Sequence, residues 1–252
     1  MAAPIVMVHG AFCGGWAFEA FRAPFEAAGH TVLTPDLRGH GEAGGSVAGL
    51  SMTDYAKDIA ALCTSLPEPP ILIGHSLGGL VCQLAAKRAP LKALVLLAPS
   101  PPWGVAGSSM EEAVTAFGLM MGAAFAQSIS PDRTLMRTYS LDRMPSAERE
   151  AAVQRLRPES GRALWEALNW WLDPFMTTSV GTGGIGVPCL VMVGQRDVVH
   201  PPMTARQTAQ RLAADYIEMA GMSHWLLGET GWQAVATQAW DWLERLDARA
   251  PA

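Results

Sequence analysis

At 252 residues, half of them apolar, the chain is sized for one domain with a large buried core. Acidic residues outnumber lysine and arginine 23 to 18, and lysine occurs only at Lys57, Lys87 and Lys92. With no basic run and no apolar run of bilayer-spanning length, the composition argues against a nucleic-acid surface and a membrane span.

Apolar runs and helical patterns alternate along the first hundred residues. The strand candidates there are Ile5–Val8, Thr31–Pro35, Ile71–Gly74 and Ala93–Ala98, and the helix candidates are Gly15–Ala28, Thr53–Leu66 and Leu77–Arg88. Thr53 is placed to cap the second helix, with Asp54 in its first turn. The first strand starts almost at once, so no secretory leader is expected and the cytoplasm is the expected location. From about Pro101 to Val187 no period-2 run is found. Met110–Gln127, Ala147–Arg157 and Arg162–Leu172 read as helices, entered through Pro99, Pro101 and Pro102 and left through the glycine-rich stretch from Val180 to Gly186. Alternation then resumes with a strand at Cys189–Val193, a helix near Met203–Leu212, a strand at Asp215–Met219 and a closing helix from Gly231 to Leu246. A parallel sheet with helices on both faces is therefore expected for residues 1–100 and 188–252. Residues 101–187 are expected to form a helical cap, inserted just after a strand's carboxyl end where open α/β sheets bind ligands.

The chemistry centres on Gly74-His75-Ser76-Leu77-Gly78, a Gly-x-Ser-x-Gly run between an apolar strand and a helix. That context places a serine hydroxyl on a sharp turn above the sheet. A serine needs a base within hydrogen-bond reach, and His224, in the loop after the last strand, is the histidine whose position suits that role. Asp197 follows the strand Cys189–Val193 through a short turn and emerges at the same end of the sheet, where it can orient the imidazole. The developing oxyanion requires donors. Leu77, first in the helix after the serine, is expected to supply one backbone N–H, and the loop after the first strand another, from Ala11 or alternatively from Phe12. His9 and Asp36 read as residues that hold loops in place. Phe12, Trp103 and Trp225 are expected to wall the substrate pocket, while most cap methionines and tryptophans pack the cap itself. The four cysteines lack metal-type spacing, and Cys63, Cys82 and Cys189 read as small core residues, so no metal, cofactor or disulfide framework is expected.

Taken together, His9-Gly10, Asp36-Leu37-Arg38-Gly39-His40-Gly41, Gly74 to Gly79, Gly194-x-x-Asp197 and Ser223-His224 resemble the α/β-hydrolase superfamily, in order and over the whole chain except residues 101–187. The resemblance implies the α/β-hydrolase fold of the short kind, a mostly parallel six-stranded sheet flanked by helices. It also implies a Ser76–Asp197–His224 triad acting on a small-molecule substrate. The opening His9-Gly10-Ala11 followed by Gly14-Gly15-Trp16 is similar to plant methylesterases and hydroxynitrile lyases. The lyases carry lysine beside the catalytic histidine, where this chain has Trp225. The expected activity is hydrolysis of a carboxylic ester of a small, largely apolar substrate through an acyl-enzyme. Carbon–carbon bond hydrolysis of a diketone and a ligand receptor without turnover are the alternatives.

Overall fold

The computed structural model describes residues 2–107 and 127–249. Six strands form one sheet in the order β2-β1-β3-β4-β7-β8, made of β1 (Ile5–Val8), β2 (Val32–Leu33), β3 (Ile71–His75), β4 (Ala93–Leu97), β7 (Cys189–Gly194) and β8 (Asp215–Met219). Every pairing in this sheet is parallel, where a mostly parallel one was expected. Parallel strands are covered on both faces, which is why β1, β3, β4 and β7 read as unbroken apolar runs.

Alternate residues of these runs enter different cores. Ile5, Met7, Ile73, Val95 and Met192 pack with Phe18, Phe21, Phe25 and the C-terminal helix, through Val235, Ala239 and Trp242. Val6, Val8, Leu72, Leu94 and Val191 face Tyr55 and Ile59, Leu80 and Leu84, and Ala205 and Leu212. The strand order reverses between β1 and β3, and the crevice at that reversal is where the carboxyl-end loops diverge to leave room for a ligand.

Local signals account for the boundaries. The expected helix Gly15–Ala28 is broken into a 3₁₀ turn, Gly15–Phe18, and α1, Ala23–Ala27. Pro24 lacks an N–H and suits the first turn of a new helix rather than the interior of an old one. The second helix, α2, spans Met52–Ser65, and its cap is Ser51 rather than Thr53. Ser51 Oγ accepts from Thr53 N at 3.1 Å while Asp54 Oδ2 accepts from Ser51 N at 2.9 Å, a reciprocal capping box. The edge strand β2 covers two residues of the expected five, since Pro35 cannot donate to a ladder.

Between β4 and β7 the described residues are largely helical: α4 (Ser146–Arg155), α5 (Gly161–Leu168), a short turn at Arg133–Leu135 running into a π turn at Met136–Ser140, and a 3₁₀ turn at Trp170–Leu172. The helix expected at Met110–Gln127 lies, but for Gln127, outside the described residues. A two-residue antiparallel ladder also occurs here, β5 (Ser128–Ile129) with β6 (Glu159–Ser160), too short to leave a period in the sequence.

Two buried carboxylates tie this stretch to the core. Glu166 accepts from Ser51 Oγ and from Met52 N, both at 2.8 Å, and from Arg162 Nε at 2.8 Å. Glu159 accepts from Tyr55 Oη and from its neighbour Ser160 N, both at 2.7 Å, and lies 3.1 Å from His40 Nε2. Burial works against both charges of the His40–Glu159 pair. Their mutual attraction outweighs it, holding the histidine pKa up and the carboxyl pKa down.

The third helix, α3 (Leu77–Ala85), begins hard against β1: a Cβ on Gly78 would lie well inside van der Waals contact of the carbonyl oxygens of Val8 and His9. Both neighbours are backbone and cannot turn aside. Gly78→Ala should therefore destabilise the fold by about 1–3 kcal/mol. Thermal or urea unfolding checks this; a variant as stable as the parent would mean the contact relaxes freely.

Candidate functional site

Ser76 sits between β3 and α3 at φ 52° and ψ −124°, a conformation that costs a non-glycine residue energy and lifts its side chain clear of the turn. Hydrogen bonds hold it there: its N–H donates to Leu97 O at 3.0 Å, and its carbonyl accepts from Gly79 N at 2.9 Å and Ser100 N at 3.0 Å. Ser76 Oγ lies 3.1 Å from His224 Nε2, and His224 Nδ1 lies 2.9 Å from Asp197 Oδ2. The structure thus brings together the three residues singled out from the sequence, from the ends of β3, β7 and β8.

Each member is fixed by its surroundings. Asp197 directs its other oxygen, Oδ1, to the backbone N–H groups of Val199 and His200, at 2.8 and 2.9 Å. Burial alone would raise the Asp197 pKa, but the His224 imidazole and its hydrogen bond, with His200, hold the carboxyl below its ordinary range. The His224 carbonyl accepts from His75 Nε2 at 3.0 Å. Burial and the nearby His224 push the His75 pKa down to about 3, so this ring is neutral with its proton on the nitrogen facing the carbonyl. His9 is likewise buried and neutral, its pKa lowered to about 4 by burial and by His40. Its Nδ1 donates to Gly10 O at 2.9 Å and its Nε2 accepts from Leu37 N at 3.0 Å. His9 therefore holds the loop after β1, as Asp36 does by accepting from Gly15 N at 2.7 Å and Glu42 N at 2.6 Å.

Ser76 and His224 open into a cavity of about 450 Å³. Gly10, Ala11 and Phe12 form one rim, in a turn closed by a 3.3 Å hydrogen bond from Cys13 N to Gly10 O, with Phe12 at φ 65°. Leu77 lies beside them, and as the first residue of α3 its N–H has no acceptor within the helix. Ile129, Leu135, Met136, Leu164 and Leu168 come from the stretch between β4 and β7, and Trp225 completes an apolar wall. Of the expected wall residues, Phe12 and Trp225 line the cavity. Trp103 does not: its ring packs edge-on against Trp170, centroids 5.3 Å apart, while its backbone N–H donates to Thr178 O and its carbonyl accepts from Arg211. Proximity in sequence to the end of β4 placed Trp103 over the serine, but the chain turns away at Trp103-Gly104, where Gly104 adopts φ 84°. The cavity also contains residues that spacing did not single out, chiefly Ser100, Tyr139 and His200. Of these, only His200 carried a hint, three residues beyond the candidate acid.

All four cysteines are free and buried. Cys13 lines the cavity, and burial raises its thiol pKa, so it is a weak nucleophile. Among the described residues, no helix is long and apolar enough to cross a membrane.

The fold and this constellation define an α/β hydrolase. The chain belongs to the alpha/beta hydrolase family, whose model matches residues 5–238. It is 40% identical over 109 residues to salicylic acid-binding protein 2 of Nicotiana tabacum, a match covering 41% of this chain and 42% of that protein. It is 38% identical over 92 residues to methylesterase 3 of Arabidopsis thaliana, covering 35% of each. The chain thus matches about two fifths or less of the length of these curated relatives. Similar solved structures extend over nearly all of it. One is an Arabidopsis methylesterase, with TM-score 0.72 and 19% identity, covering 99% of this chain and all of that one. Another is a pyrethroid hydrolase from Sphingobium faniae JZ-2, with TM-score 0.74 and 20% identity, covering 96% and 97%.

Behind His224, the buried carboxylate of Glu229 accepts from Ser223 N through both oxygens, at 2.9 and 3.0 Å, with Arg143 Nε 3.9 Å away. Burial pushes its pKa up to about 7, against the pull of the Ser223 N–H. In the unfolded chain the group titrates near its ordinary value. The folded state therefore binds more protons between about pH 4.5 and 7, and this group's contribution to stability falls as pH rises through that window. Glu229→Gln keeps an acceptor for Ser223 N without the buried charge. It should be more stable than the parent by about 1–3 kcal/mol at pH 8 and lose that advantage toward pH 5. Denaturation at the two pH values tests this; an advantage independent of pH would rule out the ionisation as its source.

Proposed function

We propose that this protein is a serine hydrolase that cleaves a carboxylic ester of a small, largely apolar substrate through an acyl-enzyme. The observation that carries this reading is the hydrogen-bonded chain Ser76–His224–Asp197, with Ser76 and His224 at the wall of a mostly apolar cavity. The relatives' own names, methylesterase among them, agree with ester cleavage.

In this mechanism His224 Nε2 takes the proton of Ser76 Oγ as the oxygen attacks the ester carbonyl carbon. The bond to the attacking oxygen forms while the carbonyl π pair moves onto its oxygen. The N–H groups of Leu77 and of Ala11, with Phe12 the alternative on the same rim, stabilise the resulting oxyanion. Asp197 keeps His224 in the tautomer that leaves Nε2 free to accept, and stabilises the imidazolium. Collapse of the tetrahedral intermediate expels the alcohol, which receives the proton from His224. Water then attacks the acyl-enzyme with His224 again as base, releasing the acid and restoring Ser76. An alkoxide leaves more readily than an amide nitrogen, which favours esters.

A fluorophosphonate probe should label the native protein once, at Ser76. Ser76→Ala should abolish labelling and lower kcat/KM on the best p-nitrophenyl ester by about 10⁴-fold or more, with folding intact by circular dichroism. Undiminished turnover would remove Ser76 from the mechanism. A screen that pairs esters with a lactone, an amide and a vinylogous diketone separates ester cleavage from carbon–carbon cleavage. Absence of turnover on all of them would favour a receptor.

The reading assigns residues 101–187 the role of a cap that selects substrate without taking part in the chemistry. Leu164 and Leu168 of α5 support it, since they line the cavity that contains Ser76. Leu168→Ala should then shift relative kcat/KM toward bulkier acyl groups by about 10-fold. Trp103→Ala should lower thermal stability while leaving that preference unchanged. A selectivity shift from Trp103 and none from Leu168 would reverse the assignment.

A further inference from the structure

Beside the nucleophile, in a mostly apolar cavity whose other polar lining (Ser130, Asp132, Tyr139 and Ser140) comes from the stretch between β4 and β7, a second serine–histidine pair lies next to the first. Ser100 Oγ is 2.9 Å from His200 Nε2, and both residues are buried and line the same cavity as Ser76. The mechanism uses neither of them. The pair is rigidly mounted. Ser100 N donates to the carbonyl of Ser76 itself at 3.0 Å, and Ser100 O accepts from the buried Gln83 at 3.2 Å. Pro99 and Pro101 flank Ser100 and restrict its backbone. The His200 N–H is held by Asp197 Oδ1.

Topology fixes which part of the substrate the pair meets. The rim that includes Ala11 and Phe12 follows β1, on one side of β3 and its serine; Ser100 follows β4 and His200 follows β7, on the other side. With the ester carbonyl oxygen turned toward the β1 rim, the alcohol oxygen lies near His224, which must protonate it. The His200 ring is 5.4 Å from the His224 ring, centroid to centroid, so the pair lies close to the alcohol group that leaves beside His224.

Resting on the ester-hydrolase reading, we infer that the Ser100–His200 pair is a polar subsite for the alcohol part of the substrate, selecting alcohols with a hydroxyl two carbons from the ester oxygen. A serine hydroxyl both donates and accepts. When His200 donates to Ser100 Oγ, the Ser100 proton is available to the substrate oxygen. When His200 accepts it, the Ser100 lone pairs receive the substrate proton. Either arrangement matches an alcohol hydroxyl, and an alkyl group in its place leaves the buried pair without its third partner.

The test compares propyl and 2-hydroxyethyl esters of one acid, which differ in a terminal methyl or hydroxyl on chains of equal length. The parent protein should favour the hydroxyethyl ester in kcat/KM by about 10-fold or more. In Ser100→Ala that ratio should fall to about one, and His200→Phe, which keeps a planar ring but no partner for Ser100, should lower it as well. A parent that turns over both esters through Ser76 without preference, or a ratio unchanged in both variants, overturns the subsite. If neither ester is turned over, the ester-hydrolase reading fails and the subsite falls with it.

Discussion

The close packing of α3 against the carboxyl ends of β1 and β3 sets the position of everything else in the site. Gly78 rests on the carbonyls of Val8 and His9 with no room for a methyl group. That contact forces the chain to turn from strand to helix within one residue, and Ser76 takes the unfavourable conformation that results. The same contact brings the loop after β1 beside the serine, so Ala11 and Phe12 share a rim with Leu77. An ordinary side chain at Gly78 would separate these elements and enlarge the gap between the serine and the donors expected to serve it. Local strain at Ser76 is held by the helix, the sheet and the Leu97 carbonyl together.

The core was legible because its signals are local and repeated. Each central strand is a short apolar run with a glycine or turn at its end, and each flanking helix shows an apolar face. The serine, the histidine and the acid could be found because each follows a strand, and parallel strands send all their carboxyl ends to one edge. The errors have physical reasons. Ser51 and Thr53 are both capping types, and only the reciprocal bond with Asp54 distinguishes them. Pro24 divides a helical pattern whose apolar spacing runs on through the break. Distance along the chain from β4 points to Trp103 as a wall residue but says nothing of the turn at Gly104. The pairing of Ser100 with His200 leaves no local signal, because the two meet only across β4 and β7, a hundred residues apart in sequence.

The attachment between the core and the stretch that covers it combines apolar packing, through Val153 and Leu156 on one side and Ala163 and Ala167 on the other, with buried polar contacts. Glu166 bonds to the start of α2, while Glu159 joins Tyr55 of that helix to His40 in the loop after β2. Buried carboxylates with several donors allow only narrow geometries, because a displaced partner leaves a charge unsatisfied in a low-dielectric interior. Apolar contacts alone would tolerate sliding. These two anchors fix the register in which α5 lies over the cavity, and with it the distance of Leu164 and Leu168 from the serine.

The pairing of β4 with β7 also bears on how the molecule is made. These adjacent strands are separated in the chain by residues 98–188, so their union closes a long loop before it gains much in return. β1 to β4 can assemble first, with Ser76 already in its turn. Asp197 and His224 come only with β7 and β8, after the intervening stretch has been made to fit. The nucleophile is thus built into the early half of the chain and its base into the late half. Without β7 the sheet has an unpaired β4 edge and a serine with no means of activation, so the reactive pair requires the completed sheet.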